Sequence, residues 1–158
     1  MRYHHRGADF RPLLETANIT YLILNRGAHY EDISSLLTTL NTTLAYITDT
    51  YPSMQIIYRN TVPGHLNIAG EDRYGPPLFE AQNMTDLPYH WGDFFLQNHQ
   101  VKDFLDEFYP QIIYLDVYTS TVLRRDSHCV NDGLHYCIPG PIDEWVVLLY
   151  NVLHLLQV

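Results

Sequence analysis

Three features of the sequence predict an α/β fold whose parallel sheet is covered on both faces. Three short runs, Tyr21-Leu22-Ile23-Leu24, Gln55-Ile56-Ile57-Tyr58 and Gln111-Ile112-Ile113-Tyr114-Leu115-Asp116-Val117, are apolar almost without interruption, as strands buried on both sides are. Stretches with apolar residues at helical spacing separate and follow them. Each run then hands over to polar residues, at the edge where open parallel sheets hold their ligands: Asn25 and Gly27 after the first, Arg59 and His65 after the second, Asp116 through Asp132 and His135 after the third.

Taken in order, Tyr21 to Leu24 is closed by Asn25-Arg26-Gly27, and Glu31 to Thr50 places Ile33, Leu36, Leu37, Leu40, Leu44 and Ile47 on one helical face. Tyr51-Pro52 stops that helix, and the second strand ends at Arg59-Asn60-Thr61 before Pro63-Gly64. Asn60 to Pro88, rich in Gly, Pro and charge, reads as an active-site loop. Trp91 to Phe108 forms a second helix on Phe94, Phe95, Val101, Phe104, Leu105 and Phe108. The last helix covers Ile142 to Leu156, with Asp143 where a carboxylate favours a helix N-terminus and Trp145 opening the buried face.

The 158 residues, 46% hydrophobic and 13% aromatic, suffice for one domain with a real core. A net charge of −9, with Lys102 the lone lysine beside eight scattered arginines, argues against a nucleic-acid partner, because neutralising phosphates takes clustered cations. The longest apolar stretch, Trp145 to Leu156, is broken by Asn151 and His154 and is too short to cross a bilayer. Met1-Arg2-Tyr3-His4-His5-Arg6 is polar and has no apolar signal segment behind it. Asn18-Ile19-Thr20, Asn41-Thr42-Thr43 and Asn83-Met84-Thr85 are nonetheless acceptor patterns for N-glycosylation, which point to the secretory pathway.

The chemistry concentrates in Asp132-Gly133-Leu134-His135 and the ten residues that follow. An Asp three residues before a His, on a loop stopped by Pro and Gly, can offer a carboxylate to the far ring nitrogen, fixing the tautomer and leaving the other nitrogen as a base. The plainer reading of the same spacing is a helix cap or a loop ion pair. A nucleophile is missing: Ser34, Ser35, Ser53, Ser120 and Ser127 lack the flanking glycines of a sharp strand-to-helix turn, and Gly70-Glu71-Asp72 holds no serine. Cys129 and Cys137 flank the motif, either as a disulfide bracing the loop in an oxidising compartment or as two free thiols, and spacing leaves both readings open. Asp126, His128, Cys129, Asp132, His135 and Cys137 lie close in sequence and could supply four tetrahedral zinc ligands as an alternative, but their spacing matches no zinc pattern, and no metal or cofactor is expected.

Asp132-x-x-His135-Tyr136-Cys137-x-Pro139-Gly140-Pro141-x-Asp143-x-Trp145 resembles the C-terminal signature of the PC-esterase and trichome birefringence-like group within the SGNH/GDSL hydrolases. Asn25 to Tyr30, Tyr58 to His65 and Leu123 to His128 are similar in the same order. The resemblance implies a three-layer α/β/α, flavodoxin-like domain of which residues 1–158 form the C-terminal portion, its N-terminal half incomplete. It further implies a Ser-His-Asp triad and O-acyl, above all O-acetyl, transfer to or hydrolysis from glycans in the secretory lumen, the Golgi or outside the cell. The implied partners are an acetylated or acetyl-accepting glycan, an acyl donor and the missing half of the domain. On this resemblance His135 is the general base, Asp132 its orienting acid and Asn25 an oxyanion donor, with Gly27 allowing close approach. Arg59 either holds an acyl or sugar oxygen or pairs with an acidic residue, and His65 either lines the site or sits in a surface loop. Gly133 departs from the pattern, since many relatives have Cys there. A segment without its serine is expected to be silent alone; the alternative is a non-catalytic glycan-binding or interaction module with a degenerate SGNH fold.

Overall fold

The computed structural model describes residues 10–28, 32–66, 77–78, 87–129 and 132–156. The elements run α1 (Arg11–Thr16), β1 (Tyr21–Leu24), α2 (Ile33–Thr50), β2 (Gln55–Arg59), α3 (Phe94–Phe108), β3 (Ile113–Leu115), α4 (Tyr118–Thr121) and α5 (Pro141–Leu155), with 3-10 turns at Pro88–Asp93 and Arg125–Ser127. The three strands form one parallel sheet in the order β1-β2-β3. Leu22 pairs with Ile56, and Ile57 with Ile113.

Alternation along β2 assigns the layers. Ile56 and Tyr58 point into one core with Leu36, Leu40, Leu44 and Ile47 of α2 and with Val101 and Leu105 of α3. Ile57 points the other way, into a core with Leu115 and Val117 against which Trp145, Leu149, Val152 and Leu153 of α5 pack. Helices therefore cover both faces, which makes the fold α/β as the apolar runs predict. In α5 the packed set recurs at i, i+4, i+7 and i+8, whereas Val146, Val147 and Tyr150 on the other face are exposed.

Element boundaries differ from the sequence expectation where side chains intervene. The helix expected from Glu31 starts at Ile33 because the Asp32 carboxylate caps the amides of Ser34 at 3.3 Å and Ser35 at 2.8 Å. The helix expected from Trp91 starts at Phe94, after a 3-10 turn in which Tyr89 and His90 have φ of 56° and 59°. The third strand is three residues long, not seven. Beyond Leu115 the amides of Val117 and Tyr118 turn to the Asn60 Oδ1, at 2.9 and 3.0 Å, and Asp116 accepts from the Thr119 amide and hydroxyl, so the chain leaves the sheet into α4. The last helix begins one residue early at Pro141, its entry tied by the Gly140 N–H donating to Asp143 Oδ2 at 2.8 Å. Most of the polar connection Asn60 to Pro88, the acceptor pattern at Asn83, and Asn131 lie outside the described residues.

Candidate functional site

The loop after β2 is the platform on which the other site segments rest. Asn60, 2% exposed, donates to Asp116 Oδ1 at 2.7 Å while its own Oδ1 takes the two amides at the start of α4. Asn98 of α3 grips Thr61 as a second strand would, accepting from its amide at 2.9 Å and donating to its carbonyl at 2.8 Å. Asn60 lies in the Tyr58 to His65 stretch of the resemblance without a role of its own there, and Asn98 lies in no motif, so no sequence signal announces the bonds that the two make.

On this platform sits the segment His128 to Cys137. His128 and Tyr136 form an antiparallel bridge, Cys137 N–H donates to Ser127 O at 2.9 Å, and a disulfide joins Cys129 to Cys137 with 5.2 Å between their Cα atoms. His65 N–H donates to the Gly133 carbonyl at 2.7 Å and so ties this segment to the loop after β2. Gly133 is packed too closely for any side chain: a Cβ would lie 2.2 Å from His65 O and 2.9 Å from the Trp91 ring. The cysteine that the resemblance places at this position has no room here.

Asp132 organises the turn with both carboxylate oxygens. Oδ1 accepts from the amides of Leu134 at 2.8 Å and His135 at 2.9 Å, and Oδ2 meets His135 Nδ1 at 2.6 Å. Partial burial pushes the Asp132 carboxyl up, but the amides of His135 and Leu134 and the His135 ring outweigh it and hold the group at about 2. The carboxylate thus stays ionised and keeps Nδ1 protonated, which leaves Nε2 with a lone pair. The His135 side chain is 76% exposed, so that nitrogen is open to a proton donor. Chemically the pair can take a proton from a hydroxyl brought up to it and stabilise the resulting imidazolium.

Asn25 lies just past β1 and its Nδ2 donates to Arg59 O at 2.8 Å and Thr61 Oγ1 at 3.4 Å, so its side-chain amide braces the platform and would have to exchange a bond to serve an oxyanion. Gly27 abuts Thr61, where a Cβ would come within 2.4 Å of Oγ1. Arg59 pairs with no carboxylate among the described residues; its guanidinium lies over the Trp145 ring, 5.7 Å from the centroid. Both β1 and β2 deliver their residues at the carboxyl edge of the sheet, and the Gly133–His65 bond attaches the Asp132–His135 turn on that side. A cleft of about 510 Å³ opens beside α3 and the loop after β3, lined among others by Asn60, Phe95, Tyr114 and Asp116, and neither Asp132 nor His135 lines it.

Of the two sequence readings of His65, the surface loop does not hold, for the residue is 1% exposed. Its Nδ1 lies 2.7 Å from His128 Nε2 and its Nε2 lies 2.9 Å from the Val122 carbonyl. His128 Nδ1 in turn faces the His135 carbonyl at 3.1 Å. Tyr136 covers the pair, with its ring 4.1 Å from that of His128 and its hydroxyl donating to Pro63 O at 2.9 Å. A Pro-Gly-His sequence reads as a turn; the burial comes from contacts 63 residues away, which no local pattern reveals.

No protein-family model matches the chain. The chain is similar to protein trichome birefringence-like 25 of Arabidopsis thaliana, with 25% identity over 146 aligned residues that cover 72% of this chain and 31% of the relative. It therefore spans about a third of the length of that relative.

Proposed function

We propose that the chain supplies the acid–base half of an SGNH-type domain that moves O-acyl, above all O-acetyl, groups on or off glycans. The observation that carries this reading is the Asp132–His135 pair, with its 2.6 Å contact to Nδ1 and an exposed ring. Likeness to a trichome birefringence-like protein over 72% of the chain supports the same reading. In it, a serine outside these residues attacks the acyl carbonyl, and His135 Nε2 takes the serine proton. Asp132 stabilises the imidazolium, and the proton returns to the departing hydroxyl as the acyl-serine forms. Water or a sugar hydroxyl then attacks the acyl-serine and gives its proton to His135; the bond from the acyl carbon to the serine oxygen breaks, and His135 returns the proton to that oxygen, giving hydrolysis or transfer. The oxyanion is held by backbone amides and by Asn25 after it exchanges one of its present bonds. The domain so completed belongs in the secretory lumen, where a disulfide persists and where acceptor patterns such as those at Asn18, Asn41 and Asn83 are read.

The test compares this chain, a chain extended upstream to include a Gly-Asp-Ser segment, and the extended chain with His135→Ala, on p-nitrophenyl acetate and on an acetylated glycan oligomer. The expected result is a silent short chain, an active extended chain, and a loss of roughly three or more orders of magnitude with His135→Ala, as for other triad bases. Serine-dependent turnover by the short chain would overturn the split site. An inactive extended chain that still binds the glycan would show a binding module instead.

A further inference from the structure

We propose that His65 and His128 are a proton-sharing pair that positions the turn carrying His135: with one proton taken up between them, the two rings complete a chain of three hydrogen bonds from the Val122 carbonyl to the His135 carbonyl. The positioning role rests on His135 being the base of the proposed reaction; the proton sharing does not.

The geometry favours this count of protons. The two outer nitrogens, His65 Nε2 and His128 Nδ1, face carbonyl oxygens at 2.9 and 3.1 Å, and a carbonyl only accepts. Both outer nitrogens must then carry hydrogen. A neutral imidazole has a single N–H, so two neutral rings arranged this way would oppose lone pairs across the 2.7 Å between His65 Nδ1 and His128 Nε2. One added proton turns that opposition into a hydrogen bond. A second would place two cations in buried rings whose centroids are 5.0 Å apart, so the pair titrates as one unit.

Without the shared proton, two N–H groups face the three contacts of this hydrogen-bond chain and one is given up; the Tyr136 hydroxyl, 3.4 Å from His65 Nδ1, directs its own hydrogen to Pro63 O at 2.9 Å. The link to the His135 carbonyl is the longest of the three, and that oxygen already accepts from Cys129 N–H at 3.3 Å. It is the link released: His128 then donates through Nε2 to His65, and its Nδ1 turns a lone pair on the turn. Protonation therefore tightens the hold on the backbone of His135, and deprotonation loosens it.

The surroundings set where this happens. Burial pushes both rings down, and for His128, where a charge on His65 acts in the same direction, to about 4. Arg125 acts in the same direction on His65, while Asp126 on both rings and Asp132 on His128 favour the cation. Arg124 offsets part of the Asp126 charge by pairing with it at 3.0 Å, and the covering Tyr136 is neutral because burial drives its phenol far above the ordinary value. The shared N–H–N bond pulls upward against burial, so the titration is to be followed from the acid side of about 4 up through the ordinary histidine value of about 6.5.

The test is ring-nitrogen NMR of the full chain across this range, together with the exchange protection of the His135 amide. The expected result is one step in which His65 and His128 shift together and take up one proton, and in which protection at His135 rises about fivefold on the acid side, the worth of one net hydrogen bond. In His128→Gln, which offers a donor that does not titrate, the step disappears and protection is flat with pH. His65→Gln is a second variant with the same expectation of lost coupling. Two independent titrations, or protection that keeps its step in both variants, would overturn the proposal. An inactive extended chain would refute the acyl-transfer reading and leave the NMR result standing.

Discussion

Asp132 is the residue on which both structure and chemistry converge. Because its folded value of about 2 lies below the ordinary aspartate value of about 3.9, its contribution to stability is fully present above about pH 4 and is lost as pH falls through about 2. Acid titration of the unfolding midpoint should show this window, and Asp132→Asn should flatten it while freeing the His135 ring. The neighbouring Gly133 admits no substitution: Gly133→Ala drives a methyl group onto His65 O, and we expect a loss of about 2 kcal/mol or more by chemical denaturation, typical of overpacking against backbone. At this scale the sequence was legible wherever partners are local. Asp132 and His135 are three apart, so their pairing was visible; His65 and His128 were not, because their contact spans 63 positions.

At the scale of elements, the strands and long helices follow from apolar periodicity, and the discrepancies trace to capping side chains. Asn60 diverts the chain after β3 and thereby creates α4, an element that no period announces. Asn60→Ala leaves the amides of Val117 and Tyr118 and the Asp116 carboxylate short of a partner, and should cost about 2–3 kcal/mol in a denaturant titration. Asn60→Asp should not recover the loss at neutral pH, since it keeps the acceptor for the two amides but sets a second carboxylate oxygen against Asp116 Oδ1, where the amide of Asn60 now donates at 2.7 Å. The disulfide acts at the same scale, closing a short loop of sequence separation 8 around the Asp132 turn. Its reduction or replacement by serines should lower stability by about 2–3 kcal/mol through the freedom returned to the unfolded chain.

For the whole molecule, the sheet is covered unevenly. The α2 and α3 side is sealed, but on the α5 side Ile23 of β1 is 48% exposed, and the outer face of α5 leaves Val147 58% and Tyr150 68% exposed. The outer edge of β1 pairs with no strand among the described residues. Such an edge beside apolar surface favours pairing with a second copy, so sedimentation should show association that rises with concentration and falls in Ile23→Lys. The layering was readable from sequence because Ile56-Ile57-Tyr58 can alternate only between two cores. Which side stays bare was not, because the spacing of α5 residues looks equally apolar on both faces. The Asp132 turn also has a consequence for the order in which the molecule assembles. Its three contacts close within four residues and need no partner from elsewhere, whereas the bond from His65 to Gly133 must wait for chain segments far apart to meet. Contacts of short separation form ahead of distant ones, so the carboxylate and imidazole are joined early and the joined unit is aimed at the sheet edge late.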